Sequence, residues 1–111
     1  MSKSSTTTRK GSKSVATPER VTVHPGEVLS EEYLKPLGMS VNALAKALHL
    51  SPSRVNDIVL ERRGISADTA VRLERYFGSS AGFWLNLQSA YDLRKAERSA
   101  ETRKAVRAIE P

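Results

Sequence analysis

Apolar residues recur at helical spacing in five stretches, each bounded by polar, proline or glycine breaks. The first puts Val28, Leu29, Tyr33 and Leu34 on one stripe. Pro25 in His24-Pro25-Gly26 has the φ of a first helical turn, and Pro36-Leu37-Gly38 should end the helix because proline lacks the backbone donor. The second stretch is the clearest: Val41, Leu44, Ala45 and Leu48 fall at i, i+3, i+4 and i+7 behind Ser40 as N-cap, which predicts a helix over 41–48. After only His49 and Leu50, Ser51-Pro52 opens a third helix. Its Val55, Ile58 and Val59 share a face and leave Ser53, Arg54, Asn56 and Asp57 pointing elsewhere.

Glu61-Arg62-Arg63-Gly64 reads as a polar turn, after which Ser66 caps a fourth helix carrying Ala70, Leu73, Tyr76 and Phe77. Gly78 suits its left-handed end. Ser79 or Ser80 opens a fifth, in which Phe83, Trp84, Leu87, Ala90, Tyr91 and Leu93 make a wide apolar surface reaching about Glu97. The prediction is an all-α fold of five helices, with residues 21–97 as its domain.

The ends read differently. Met1 to Thr17 is rich in Ser, Thr and Lys and has too little apolar surface to offset its ordering entropy, so residues 1–20 are expected to form a disordered basic tail. Residues 98–111 form a polar tail in which Val106 and Ile109 can extend a helix. With 111 residues, the chain suits one small domain plus such tails. Its net charge of +6 divides into +4 for residues 1–20, zero for 21–97 and +2 for 98–111. The basic character therefore belongs to the tails, and alone it does not make the folded part a binder of nucleic acid.

Several classes are excluded by composition. The chain has no cysteine, hence no disulfide framework, thiolate metal site or nucleophilic thiol. The polar start does not fit a secretory signal, and no apolar run is long enough to span a membrane, so a cytoplasmic protein with no membrane partner is expected. Gly11-Ser12-Lys13-Ser14 lacks the preceding glycine of a phosphate-binding loop. His24 and His49 lack metal-ligand spacing, and no serine stands in a G-x-S-x-G context. No enzyme, catalytic residue, metal or cofactor is expected.

The second and third helices carry the information about function. Two helices joined by a three-residue turn must cross steeply, as in a helix-turn-helix that projects its second helix into a major groove. Ala45 sits where the helices come closest, while Leu44, Leu48, Leu50, Val55 and Ile58 set their angle. This arrangement resembles the lambda-repressor-like, or XRE, family, with one departure: His49 stands where that family has a left-handed glycine. The flanking blocks narrow the resemblance. His24-Pro25-Gly26-Glu27-Val28-Leu29, Leu37-Gly38-Met39-Ser40, Ser66-Ala67-Asp68-Thr69-Ala70-Val71-Arg72-Leu73, Tyr76-Phe77-Gly78, Phe83-Trp84-Leu85-Asn86-Leu87-Gln88 and Tyr91-Asp92-Leu93 are similar to the HigA antitoxins over residues 24–96. That resemblance implies a DNA-binding antitoxin that represses its own operon and neutralises a RelE-like, mRNA-cleaving HigB toxin.

Residue chemistry on the third helix agrees with this. Arg54 can offer a planar fork to guanine or phosphate, Asn56 can pair with adenine, and Ser53 can serve base edge or backbone. Asp57 can accept from cytosine or orient Arg54 or Arg62 as a local ion pair. Arg62 and Arg63 are candidates for phosphate contacts, and Ser40 and Ser51 either aim helix N-termini at phosphate or simply cap them. The aromatic set on the fifth helix reads as core or dimer packing, with Trp84, Leu87, Tyr91 and Leu93 as the expected homodimer interface on an inverted-repeat operator. The alternatives are an XRE-type regulator without a toxin, and an enzyme-bound or RNA-binding adaptor.

Overall fold

The computed structural model describes residues 23–111, so the expected N-terminal tail lies outside the described residues. Six helices follow in order. Helix α1 opens as Pro25–Val28, widens into a π-helical stretch at Leu29–Leu34 and closes as Lys35–Leu37. The others are α2 Val41–Leu48, α3 Pro52–Val59, α4 Ala67–Phe77, α5 Ala81–Arg98 and α6 Ala100–Ala108. All five predicted helices are present. The sixth replaces the polar tail: Ser99 leaves helical geometry at ψ 123° and its hydroxyl accepts from Thr102 N–H at 3.2 Å, starting a separate helix that packs on the end of α5.

α1 ends within Pro36-Leu37-Gly38 as expected, although its backbone stays helical through Pro36 to Leu37. In the π-helical stretch Lys35 N–H bonds five residues back to Ser30 C=O, which relaxes the turn that the proline ring would otherwise crowd. The cap is Gly38, left-handed at φ 61°, with Met39 N–H on Leu34 C=O at 2.9 Å.

Leu29, Leu44, Val55, Ile58, Leu73 and Trp84 form the centre of a single core. α2 packs on α3 and α4 on α5, while α1 crosses behind α3 and α5 and joins the two pairs. Trp84 has no exposed surface: its ring lies 5.2 Å from that of Tyr33 and 5.0 Å from that of Phe83, and its Nε1–H donates to Ser79 Oγ at 3.2 Å. The expectation that Trp84 meets a dimer partner is therefore corrected. A side chain enclosed by its own chain has no surface to offer a second one.

His24 opens α1 in a way its residue type did not suggest. It is buried, its Nδ1 accepts from Gly26 N–H at 2.9 Å, and its ring meets Tyr91 edge-on at 4.8 Å. The accepting Nδ1 requires the neutral ring, with its proton on Nε2. Burial pushes the His24 pKa below 6.5, opposed by the Glu61 and Asp92 carboxylates and aided by Lys95. The unfolded chain therefore takes up a proton more readily than the folded one. Stability contributed by neutral His24 is fully present above pH 6.5 and is lost as pH falls below it towards the depressed folded value. Denaturant melts at pH 8, 7, 6 and 5.5 should show this decline, and His24→Asn, which keeps an acceptor for Gly26 N–H, should remove the component centred there.

Candidate nucleic-acid interface

Three residues separate α2 from α3, and each has a distinct conformation. His49 is left-handed at φ 58° and ψ 43°, as expected for the position that departs from glycine. Its N–H bonds Lys46 C=O at 3.2 Å, and Leu50 N–H reaches Ala45 C=O at 2.9 Å, closing α2. Ser51 then caps α3, its hydroxyl accepting from Arg54 N–H at 3.2 Å. Ser40 does the same for α2, accepting from Ala43 N–H at 3.0 Å. Both serines are caps in this structure; the exposed Ser40 hydroxyl keeps its own proton to donate outward, while Ser51 Oγ lies 3.4 Å from Ser53 Oγ and either hydroxyl of that pair can be the donor.

Along α3, Val55 and Ile58 enter the core while Ser53 is exposed and Asn56 is half-buried. Asp57 takes the local-pair option: Arg62 Nη2 and Nε donate to its Oδ1 at 2.9 and 3.2 Å. That contact steers the Arg62 guanidinium along the end of α3. Arg63 is exposed beside it. The turn carries a second left-handed residue, Glu61 at φ 64°, which the polar reading of residues 61–64 did not anticipate. Arg62 N–H bonds Asp57 C=O at 2.8 Å and Glu61 N–H bonds Ile58 C=O at 3.0 Å, so the chain reverses before Gly64 is reached.

Arg54 differs most from expectation. Instead of standing clear on the outer face of α3, its Nη2 donates to Ser66 Oγ at 3.3 Å and Thr69 Oγ1 at 3.2 Å, and lies 3.7 Å from Asp68 Oδ2. Its Nε is buried without a hydrogen-bond partner among the described residues. One arm of the fork expected to face guanine, Nη2, is taken up by the first turn of α4.

Two further side chains hold the unit together and were missed in the sequence. Arg72 Nη1 donates to Leu48 C=O at 2.8 Å and His49 C=O at 2.9 Å, and its Nε donates to Asp68 at 3.1 Å. Gln88 accepts from Ile65 N–H at 2.7 Å and donates to Asp92 at 3.0 Å, pinning the α3–α4 loop to α5. The i, i+4 spacing of Asp68 and Arg72 was the one visible signal. On α5, Leu93 is 61% exposed, whereas Leu87 and Tyr91 are half-buried against their own chain. Among the described residues no group of His, Asp and Glu is arranged to hold a metal, and no helix is long and apolar enough to cross a membrane.

The helix-turn-helix family matches residues 31–84, which include all of α2, α3 and α4. Virulence-associated protein I of Dichelobacter nodosus is 63% identical over 84 residues, covering 76% of this chain and 78% of its own. A solved structure of Pseudomonas aeruginosa antitoxin HigA with the higBA promoter superposes with a TM-score of 0.76 at 52% identity, covering 81% of this chain and 97% of the other. The chain belongs to the HigA-type helix-turn-helix family. A Pseudomonas aeruginosa protein in complex with its 18-bp operator DNA is likewise similar, at 53% identity and a TM-score of 0.74, covering 80% of this chain and 93% of that one. The HigA-type membership confirms the resemblance read from the His24, Ser66 and Phe83 blocks.

Proposed function

We propose that this protein is a cytoplasmic, dimeric antitoxin that binds operator DNA through α3, represses its own toxin–antitoxin operon and neutralises a RelE-like, mRNA-cleaving HigB toxin. The observation that carries the reading is the α2–α3 unit itself: two helices packed on each other and joined by a three-residue turn through left-handed His49, with Ser53 and Asn56 on the outer side of α3 and Arg62 and Arg63 at its end. The promoter-bound HigA relative supports it at family level. Within the unit, Ser53 and Asn56 read base edges, while Ser40, Ser51, Arg62 and Arg63 serve phosphates. Asp57 acts by orienting Arg62. Pairing through Leu93, with the exposed edges of Leu87 and Tyr91, would set two α3 helices about one helical turn, 10 to 10.5 bp, apart on an inverted repeat.

Titration of fluorescent promoter DNA and an unrelated duplex tests this assignment. Asn56→Ala should weaken promoter binding by about 1–3 kcal/mol and leave unrelated DNA nearly unaffected. Arg63→Ala should weaken both and reduce the slope of log affinity against log salt by roughly one. Equal losses on both duplexes for Asn56→Ala would remove it from base reading. Co-expression with the product of an adjacent toxin gene tests the remaining function: growth is restored if the chain is an antitoxin, and promoter binding without rescue would leave a regulator with no toxin.

A further inference from the structure

We propose that Arg72 is a positioning residue for operator reading, acting from α4 through the turn between α2 and α3 rather than on DNA. This rests on the operator-binding reading above and adds to it a residue outside the two helices that form the motif.

The last carbonyls of a helix have no partners within it, and the end of α2 is also the hinge that sets the direction of α3. Arg72 fills two of those acceptors at once, Leu48 C=O at 2.8 Å and His49 C=O at 2.9 Å. The second belongs to a residue held at φ 58°, a conformation that costs free energy for any side chain bearing Cβ. Arg72 therefore holds the turn at its strained point. Its Nε is committed as well, donating to Asp68 Oδ2 at 3.1 Å. The same oxygen lies 3.7 Å from Arg54 Nη2, which is bonded to Ser66 and Thr69. The first two turns of α4 thus grip the end of α2 through Arg72 and the first turn of α3 through Arg54.

Base readout needs side chains placed to within a fraction of an ångström, and a recognition helix on a short turn inherits every error in that turn. Arginine suits the task because its planar fork presents several N–H groups in fixed directions. Lysine keeps the charge and lacks the fork, so Arg72→Lys separates placement from long-range attraction to DNA.

The experiment uses the full chain, a promoter fragment from upstream of its own gene and an unrelated duplex of equal length, well below the melting temperature. Arg72→Lys should lose about tenfold in affinity for the promoter, with unrelated-DNA affinity and the salt slope unchanged. Preserved promoter preference in a folded Arg72→Lys would overturn the proposal. So would equal loss on both duplexes with a shallower salt slope, because that pattern makes Arg72 a phosphate contact. If Arg72→Lys melts too low, the comparison is made on His49→Gly, which relieves the left-handed strain without restoring the fork. Arg72→Lys in that background should lose preference relative to His49→Gly alone, and no difference between the two would again overturn it. Wild-type chain with no promoter preference would instead remove the operator reading beneath the proposal.

Discussion

Trp84→Ala should lower the unfolding free energy by about 3–5 kcal/mol, the cost of emptying a large aromatic site in a core that cannot fully collapse. For a domain of this size that is a fall in melting temperature of roughly 15–30 °C. The indole is fully enclosed, with Tyr33 and Phe83 against its ring, and its Nε1–H satisfies Ser79, the residue before the cap of α5. Truncation leaves a cavity and removes the Ser79 bond. Trp84→Phe should lose less, since it keeps much of the ring volume and forfeits only the Ser79 bond and part of the packing. Leu93→Glu provides the contrast: at 61% exposure it should melt close to wild type while abolishing pairing in sedimentation measurements. A Trp84→Ala protein that melts normally but fails to pair would reverse the two assignments.

The tryptophan also shows where sequence reasoning reaches its limit. Five helices were legible because four starts carry a capping hydroxyl, the first opens on Pro25, and the buried stripes of the first four have a clean period. Ser40, Ser51, Ser66 and Ser80 all accept the backbone N–H bond that their positions implied. The fifth helix is apolar on too many sides for periodicity to say which face turns inward. Trp84 and Leu93 looked equivalent there, and tertiary packing, including Tyr33 of α1 against the Trp84 ring, separates them.

The candidate interface divides along the same line. Its backbone was legible: the α2–α3 unit, the left-handed His49 and the caps all follow from local sequence. The direction of Arg54 was not, because its partners Ser66, Asp68 and Thr69 lie 12 to 15 residues further on and only tertiary packing brings them together. Glu61 was missed for the opposite reason. Residues 61–64 read only as a polar turn, and the reversal occurs at its first residue, an ordinary side chain, with Arg62 and Glu61 N–H groups on the Asp57 and Ile58 carbonyls.

Gly26→Ala is the second change expected to be severe, although alanine is the better helix former. A Cβ at Gly26 would fall 1.9 Å from the carbonyl oxygen of Ile58 and 2.9 Å from its carbonyl carbon. These atoms belong to the backbone of α3 and cannot rotate aside as a side chain would. α1 must therefore back away from α3, at a cost of about 3 kcal/mol. The same carbonyl accepts Glu61 N–H at 3.0 Å, so its displacement disturbs the turn that presents Arg62 and Arg63. Promoter affinity should fall even at temperatures where the variant remains folded. Gly38→Ala separates this steric cause from backbone strain, because Gly38 has φ 61° with nothing within 4 Å of a built Cβ. It should cost only about 1 kcal/mol and leave promoter affinity unchanged below its melting temperature. Equal destabilisation by the two alanines in thermal melts would show that the close approach of α1 to Ile58 does not limit this position.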